Sequence, residues 1–188
     1  MTENKNIKED NLIKKWTLIG ISFIGILSTL MHFVYELSGE AIVVGIISPV
    51  NESVWEHLKL AFLPTILWWI IAYFIITKKV KLSLGRWFIA AVTALIICPL
   101  FIVTFYYTYT GALGIHSMIL DVLSLFLGIM IAQGTAFVIY RKAQIKPFHF
   151  YTALFILVLM VASFIVFTFT PPHLPLFIDP LTGKYGIA

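Results

Sequence analysis

Charge is scarce in this sequence. Of 188 residues, 12% are Asp, Glu, Lys or Arg and 60% are hydrophobic, and the mean hydropathy is +0.97. A soluble domain carries about 25% charged residues. A chain with half that share cannot cover a water-facing surface, so a soluble globular protein is excluded and an all-α integral membrane protein is expected. Cysteine is scarcer still. Cys98 is the only one, which excludes an intrachain disulfide and a cysteine metal cluster. It lies beside Pro99 in an apolar run and reads as a small packing residue. A cleavable leader is not expected either. The first 15 residues mix Lys with Glu and Asp, and the apolar run that follows is longer than a leader core and lacks a small-residue cleavage site. That run reads as a retained first span. There is no internal repeat and no low-complexity tract.

What the chain does contain is long apolar runs. A bilayer core takes about 20 apolar residues as helix, and five stretches qualify: Trp16 to Tyr35, Leu58 to Thr77, Trp87 to Tyr107, Met118 to Tyr140 and Phe150 to Phe169. The helix of the second is expected to begin near Glu52. A sixth piece, Ala41 to Val50, is too short to span and suits a re-entrant or interfacial segment, or a loop packed on the bundle. The expected organisation is a cytoplasmic segment (1–15), a bundle of five transmembrane helices (16–169) and an extracytoplasmic tail (170–188).

Orientation follows from the basic residues. Lys5, Lys8, Lys14, Lys15, Lys78, Lys79, Lys81, Arg86, Arg141, Lys142 and Lys146 fall on one side, and only Lys59 and Lys184 on the other. The N-terminus is therefore expected in the cytoplasm and the C-terminus outside, in a multi-pass protein of the cell membrane. Trp16, Trp87, Tyr140 and Phe148 sit at the inner span ends, as an aromatic belt would. The acids run the other way: Glu3, Glu9 and Asp10 are inside, and Glu36, Glu40, Glu52, Glu56, Asp121 and Asp179 are outside. The inner side thus carries a formal +8 and the outer side −4. Topology explains the basic excess, so no nucleic-acid partner is implied; the lipid bilayer is the evident one. Topology does not require the outer acidity, which would concentrate cations near an outer pocket.

Four of the five histidines, His32, His57, His116 and His173, join those acids, and only His149 lies inside. Histidine in a span usually faces the bundle interior or a wet cavity. In "MHFVYE", His32 and Glu36 are four apart and share a helix face. They could present two ligands to one metal ion, although for this pair alone a local hydrogen bond at the helix end is the better account. In "SPVNESVWEHLKLAF", Asn51 reads as the N-cap, with Val50 and Trp55 placed for a hydrophobic staple and Glu52 in the first turn, where the helix dipole favours an anion. Glu52, Glu56 and Lys59 share one face, Ser53 and His57 another. Capping does not explain Glu56 or His57. Pro64 is expected to kink the span. In "GIHSMILD", Ser117 is a candidate cap and Asp121 lies one turn in, with His57, Lys59 or His32 as candidate partners. Ser124 and Gly128 continue its stripe as packing residues. Tyr106, Tyr107 and Tyr109 end the third span; an aromatic belt explains them, and they could also donate to the cluster. The proline-rich tail carries Leu174, Leu176, Phe177 and Ile178, and is expected to fold back over the outer mouth as a lid.

Zinc takes three or four imidazole and carboxylate ligands at about 2.0–2.2 Å, and mixed sites of this kind also suit iron or manganese. The chain has no H-E-x-x-H and no Glu-x-x-His pair. The candidate ligands are His32, Glu36, Glu52, Glu56, His57, His116, Asp121 and His173, supported by Asn51, Ser53, Trp55 and Lys59. A divalent metal such as zinc is the cofactor they would hold.

The motifs "PVNESVWEHLKL" and "PPHLPLFIDPLTGKYGI" resemble a family of small bacterial multi-pass membrane proteins classed as a domain of unknown function. The resemblance covers nearly the whole chain and implies no activity, substrate or catalytic residue. Ser53 and His57 also match the Ser-x-x-x-His element of the alkaline ceramidase and progestin-receptor-like membrane hydrolases, with Asp121 as the acid. The paired His-x-x-x-His of their last helix is absent, and the spans are too few.

Three functions follow. The first is an outward-facing pocket for a metal ion or small polar ligand, in a chain that acts as a homo-oligomer or beside a membrane partner subunit, since it lacks the matched halves common in transporters. The second is a metal-dependent hydrolase of lipids or envelope precursors, with Glu56 or Asp121 as base. The third is a structural or accessory subunit in which the cluster is architecture.

Overall fold

The computed structural model describes residues 2–187, with side chains described for Ile7 and from Glu9 onward. Glu3, Lys5 and Lys8, counted above in the inner charge, lie outside the described side chains, and Met1 and Ala188, the outermost positions of the two terminal segments, outside the described residues. The chain is all-helical: α1 (Thr2–Met31), two single turns α2 (Val34–Leu37) and α3 (Ile42–Gly45), then α4 (Val54–Ile76), α5 (Leu84–Leu113), α6 (Met118–Lys142) and α7 (Pro147–Phe169). Five of these are long and apolar enough to cross a membrane, with Glu9–Met31 as the qualifying part of α1. The shortest have 23 residues, about 34 Å at 1.5 Å per residue, which exceeds a hydrocarbon core of about 30 Å.

α1, α4, α5 and α6 pack in a ring, each against the next, and α7 lies outside it against α5 and α4. The α5–α6 interface is the most extensive, and the stripe read from the sequence explains why. Ser124 and Gly128 are buried, and a Cβ on Gly128 would come within 3.2 Å of Cys98 Sγ and 3.3 Å of its carbonyl oxygen. Any side chain there would press on α5 more tightly than ordinary contact, so glycine eases the close approach of the two helices. Cys98 is buried there as a packing residue.

α1 differs from expectation at both ends. It starts well before Trp16, because the polar first turns have partners: Tyr140 donates to Glu9 Oε1 at 2.7 Å, Arg141 pairs with Asp10 at 2.8 Å, and Ile13 is buried. It stops at Met31 rather than Tyr35, so His32 lies in a turn and Glu36 in α2. α4 runs unbroken through Pro64. Proline has no N–H to donate to the carbonyl four residues back, and Ser28 of α1 donates to that carbonyl, Leu60 O, at 2.6 Å. The residues from 41 to 50 form one helical turn and a loop over the start of α4, with Gly45 and Ser48 buried and Ile42, Val43 and Ile47 exposed.

Candidate metal centre

The polar residues of "NESVWEHLK" separate into two sites. Their division starts with the cap of α4. Ser53, not Asn51, is the N-cap, and its hydroxyl accepts from Glu56 N at 3.3 Å. Ser53-x-x-Glu56 has the spacing of a capping box, so the helix starts two residues later than the Asn51 reading implied. Asn51 Oδ1 instead accepts from Ser53 N at 2.9 Å, and its Nδ2 donates to Gly186 O in the tail at 2.9 Å. Glu52 therefore precedes the helix and gains nothing from a first-turn position, which Glu56 holds instead. The expected Val50–Trp55 staple does not form in that register. Trp55 packs against Phe164, Phe167 and Phe177, with ring centroids 4.9 to 5.3 Å away.

Glu56 and Lys59 make the first site, and it is closed. Their side chains are 2% and 3% exposed and form an ion pair at 2.6 Å. All three ammonium protons are used, because Lys59 also donates to Gly45 O at 2.8 Å and to Thr168 Oγ1 at 2.5 Å. Glu56 accepts from Val50 N at 3.1 Å as well, and Thr168 Oγ1 lies 3.2 Å from its other oxygen. The pair is buried and engaged with its own partners, so it is not presented to a metal. It ties the start of α4 to the loop on one side and to the end of α7 on the other. Nothing in the local sequence around Thr168 marks it for this role; the clue is Lys59 itself, since a lysine in a span requires partners.

His32, Glu52 and His57 make the second site, and it is open. His57 Nε2 lies 3.2 Å from His32 Nε2 and 3.4 Å from Glu52 Oε2, and His32 Nε2 is 3.9 Å from the same oxygen. Between 29% and 43% of each side chain is exposed, so solutes can reach all three. His57 Nδ1 is 2.9 Å from Ser53 O. A carbonyl only accepts, so Nδ1 carries the proton and, in the neutral ring, Nε2 presents its lone pair. Metal-ligating histidines are oriented this way, by a backbone acceptor on the second nitrogen. When the ring is cationic, Nε2 donates to Glu52 instead. That hydrogen bond holds the Glu52 carboxyl below the ordinary carboxylate range, against the opposing effect of partial burial.

The three ligand atoms suit one ion. A triangle with edges of 3.2, 3.4 and 3.9 Å has a circumscribed radius of about 2.1 Å, inside the range of about 2.0–2.2 Å at which zinc binds nitrogen and oxygen. His32, Glu52 and His57 would hold such an ion through three protein atoms, and water or a substrate group would supply a fourth ligand. These are also the described residues that meet a three-ligand criterion.

Other candidate ligands lie apart from this trio. The break after Met31 separates Glu36 from His32 and leaves it exposed. His173 stacks on Tyr185 at 4.5 Å. Exposed His116 shares a hydrogen bond of 3.2 Å with Tyr106. Asp121 finds none of its expected partners; Tyr109 donates to it at 2.7 Å, and Ser117 caps α6 as expected. The tail packs on the start of α4 and the end of α7: Trp55 N donates to Leu176 O and Ile187 N to Thr168 O, each at 3.0 Å.

A family model matches residues 5–187 under the description "Family of unknown function (DUF6512)". No curated protein and no solved structure matches the chain.

Proposed function

The chain belongs to this family of unknown function, so its chemistry rests on its own side chains, and we propose that it is a multi-pass membrane protein holding a divalent metal ion, zinc first, between His32, Glu52 and His57. One observation carries this reading: two imidazole nitrogens and a carboxylate oxygen lie on a circle of zinc-bond radius. The proton of His57, fixed on Nδ1 by Ser53 O, supports it. The lysine and arginine distribution puts the N-terminus in the cytoplasm and the metal on the outer face of the cell membrane. The structural reading keeps Glu56 and Lys59, whose network is fully internal.

Elemental analysis of the protein purified in a mild detergent tests the metal. About one zinc per chain is expected, lost in His57→Ala and in Glu52→Gln and retained in His116→Ala and His173→Ala. Wild-type protein without stoichiometric metal after zinc reconstitution would falsify the reading.

A further inference from the structure

The depth of the trio in the bundle bears on what reaches the free coordination position. From His57 to Ile76 the helix rises about 29 Å at about 1.5 Å per residue. From Asp121 to Arg141 on α6 it rises about 30 Å. Both lengths match a hydrocarbon core of about 30 Å. Lys78 and Lys79 follow directly on α4, and Arg141 and Lys142 end α6, so these far ends are anchored at the opposite headgroup layer. His57 and Asp121 then sit together at the near edge of the hydrocarbon, the level of lipid ester and phosphate groups.

The side chains around the trio are apolar and exposed. Phe33 lies tilted against His32 with ring centroids 5.3 Å apart, and Leu30 and Phe33 of the first helix and its turn are exposed; at the start of α6, Met118, Ile119 and Val122 are exposed as well. α1 and α6 touch further in, where Phe126 packs on Gly25 so closely that a Cβ there would lie 2.6 Å from its ring. The metal-binding atoms therefore lie beside exposed apolar surface at the end of α1 while remaining open to water themselves. A divalent ion with two neutral imidazoles and one carboxylate keeps a net positive charge, which favours an anionic oxygen in the open position.

We propose that this position binds the phosphoryl oxygen of a phospholipid headgroup that enters from the bilayer. The proposal rests on the metal reading above. Its chemistry is shared with free phosphate, and the difference lies in delivery: acyl chains in the bilayer hold the phosphate at the depth of the trio and raise its effective concentration.

The test uses the full chain loaded with cobalt(II), in a maltoside detergent free of phosphate. Cobalt in the site gives a visible absorption band, lost in His57→Ala and Glu52→Gln. No band in the wild-type protein sinks the metal reading itself. With the band present, dihexanoyl phosphatidic acid, inorganic phosphate and dihexanoylglycerol are titrated in turn. Phosphatidic acid is expected to change the band at a concentration about ten-fold or more below that of phosphate, and dihexanoylglycerol to leave it unchanged. Equal potency of lipid and phosphate, a matching response to dihexanoylglycerol, or no response to phosphatidic acid overturns the lipid proposal and leaves the metal reading standing. The comparison is made on wild-type protein, so it does not depend on a variant folding.

Discussion

Single residues here divide one short polar motif between architecture and chemistry. Glu56 and Lys59 are buried together, and removing one partner of such a pair leaves the other charge uncompensated. Glu56→Gln or Lys59→Met should each cost about 3–5 kcal/mol, seen as a lower melting temperature in detergent. The double variant Glu56→Leu, Lys59→Met should recover part of that loss. Equal damage from single and double variants would count against the uncompensated-charge account. Glu52 behaves differently because it faces solvent. Its pKa is lowered in the folded protein by His57, so its contribution to stability is complete above the ordinary carboxylate range. That contribution is lost as pH falls through the lowered folded value. The melting temperatures of wild type and Glu52→Gln should therefore converge in acid: after correction for their difference at neutral pH, the wild type falls further as Glu52 takes up its proton. The sequence made both pairs of residues conspicuous but grouped them wrongly. Asn51 and Ser53 are both good caps, and choosing the first shifted the helix start by two residues. Glu52 then joined Glu56 on paper, while in the fold it joins His57.

At the level of helices, the apolar runs were legible because their length is set by bilayer thickness, and five spans emerge in the order expected. Helix ends were less legible. The first span breaks at His32 rather than Tyr35, and that break is what removes Glu36 from the metal ligands and turns His32 toward His57. No local pattern announces it, because its partner is 25 residues away. Pro64 shows the same limit. The carbonyl that it leaves without an intrahelical donor is met from another helix, by Ser28 donating to Leu60 O, which no local pattern around Pro64 announces. Ser28→Ala should therefore lower stability by about 1–2 kcal/mol, since a carbonyl is left unmatched in a dry interior. Thr29→Ala on the same helix, where Thr29 bonds only within its own turn, should cost clearly less. Matching losses from the two variants in a chemical or thermal melt would remove Ser28 from this role.

In the whole molecule, the tail closes the bundle at the end that carries the trio. Asn51 Nδ2 donates to Gly186 O, Ile187 N to Thr168 O, and Phe177 is buried against Trp55. The sequence suggested a folded tail from its apolar content, but these tethers depend on contacts across most of the chain and could not be read from it. Deleting residues 184–188 should lower the melting temperature and expose Trp55, read as a red shift in tryptophan emission. An unchanged melt would mean the tethers are dispensable. The tether from Asn51 to Gly186 spans 135 positions, and this has a consequence for biosynthesis. The amide of Asn51 is made early and cannot meet this partner until Gly186 has left the ribosome. The loop that carries Glu52 can thus gain this tether only after all five long helices have been made.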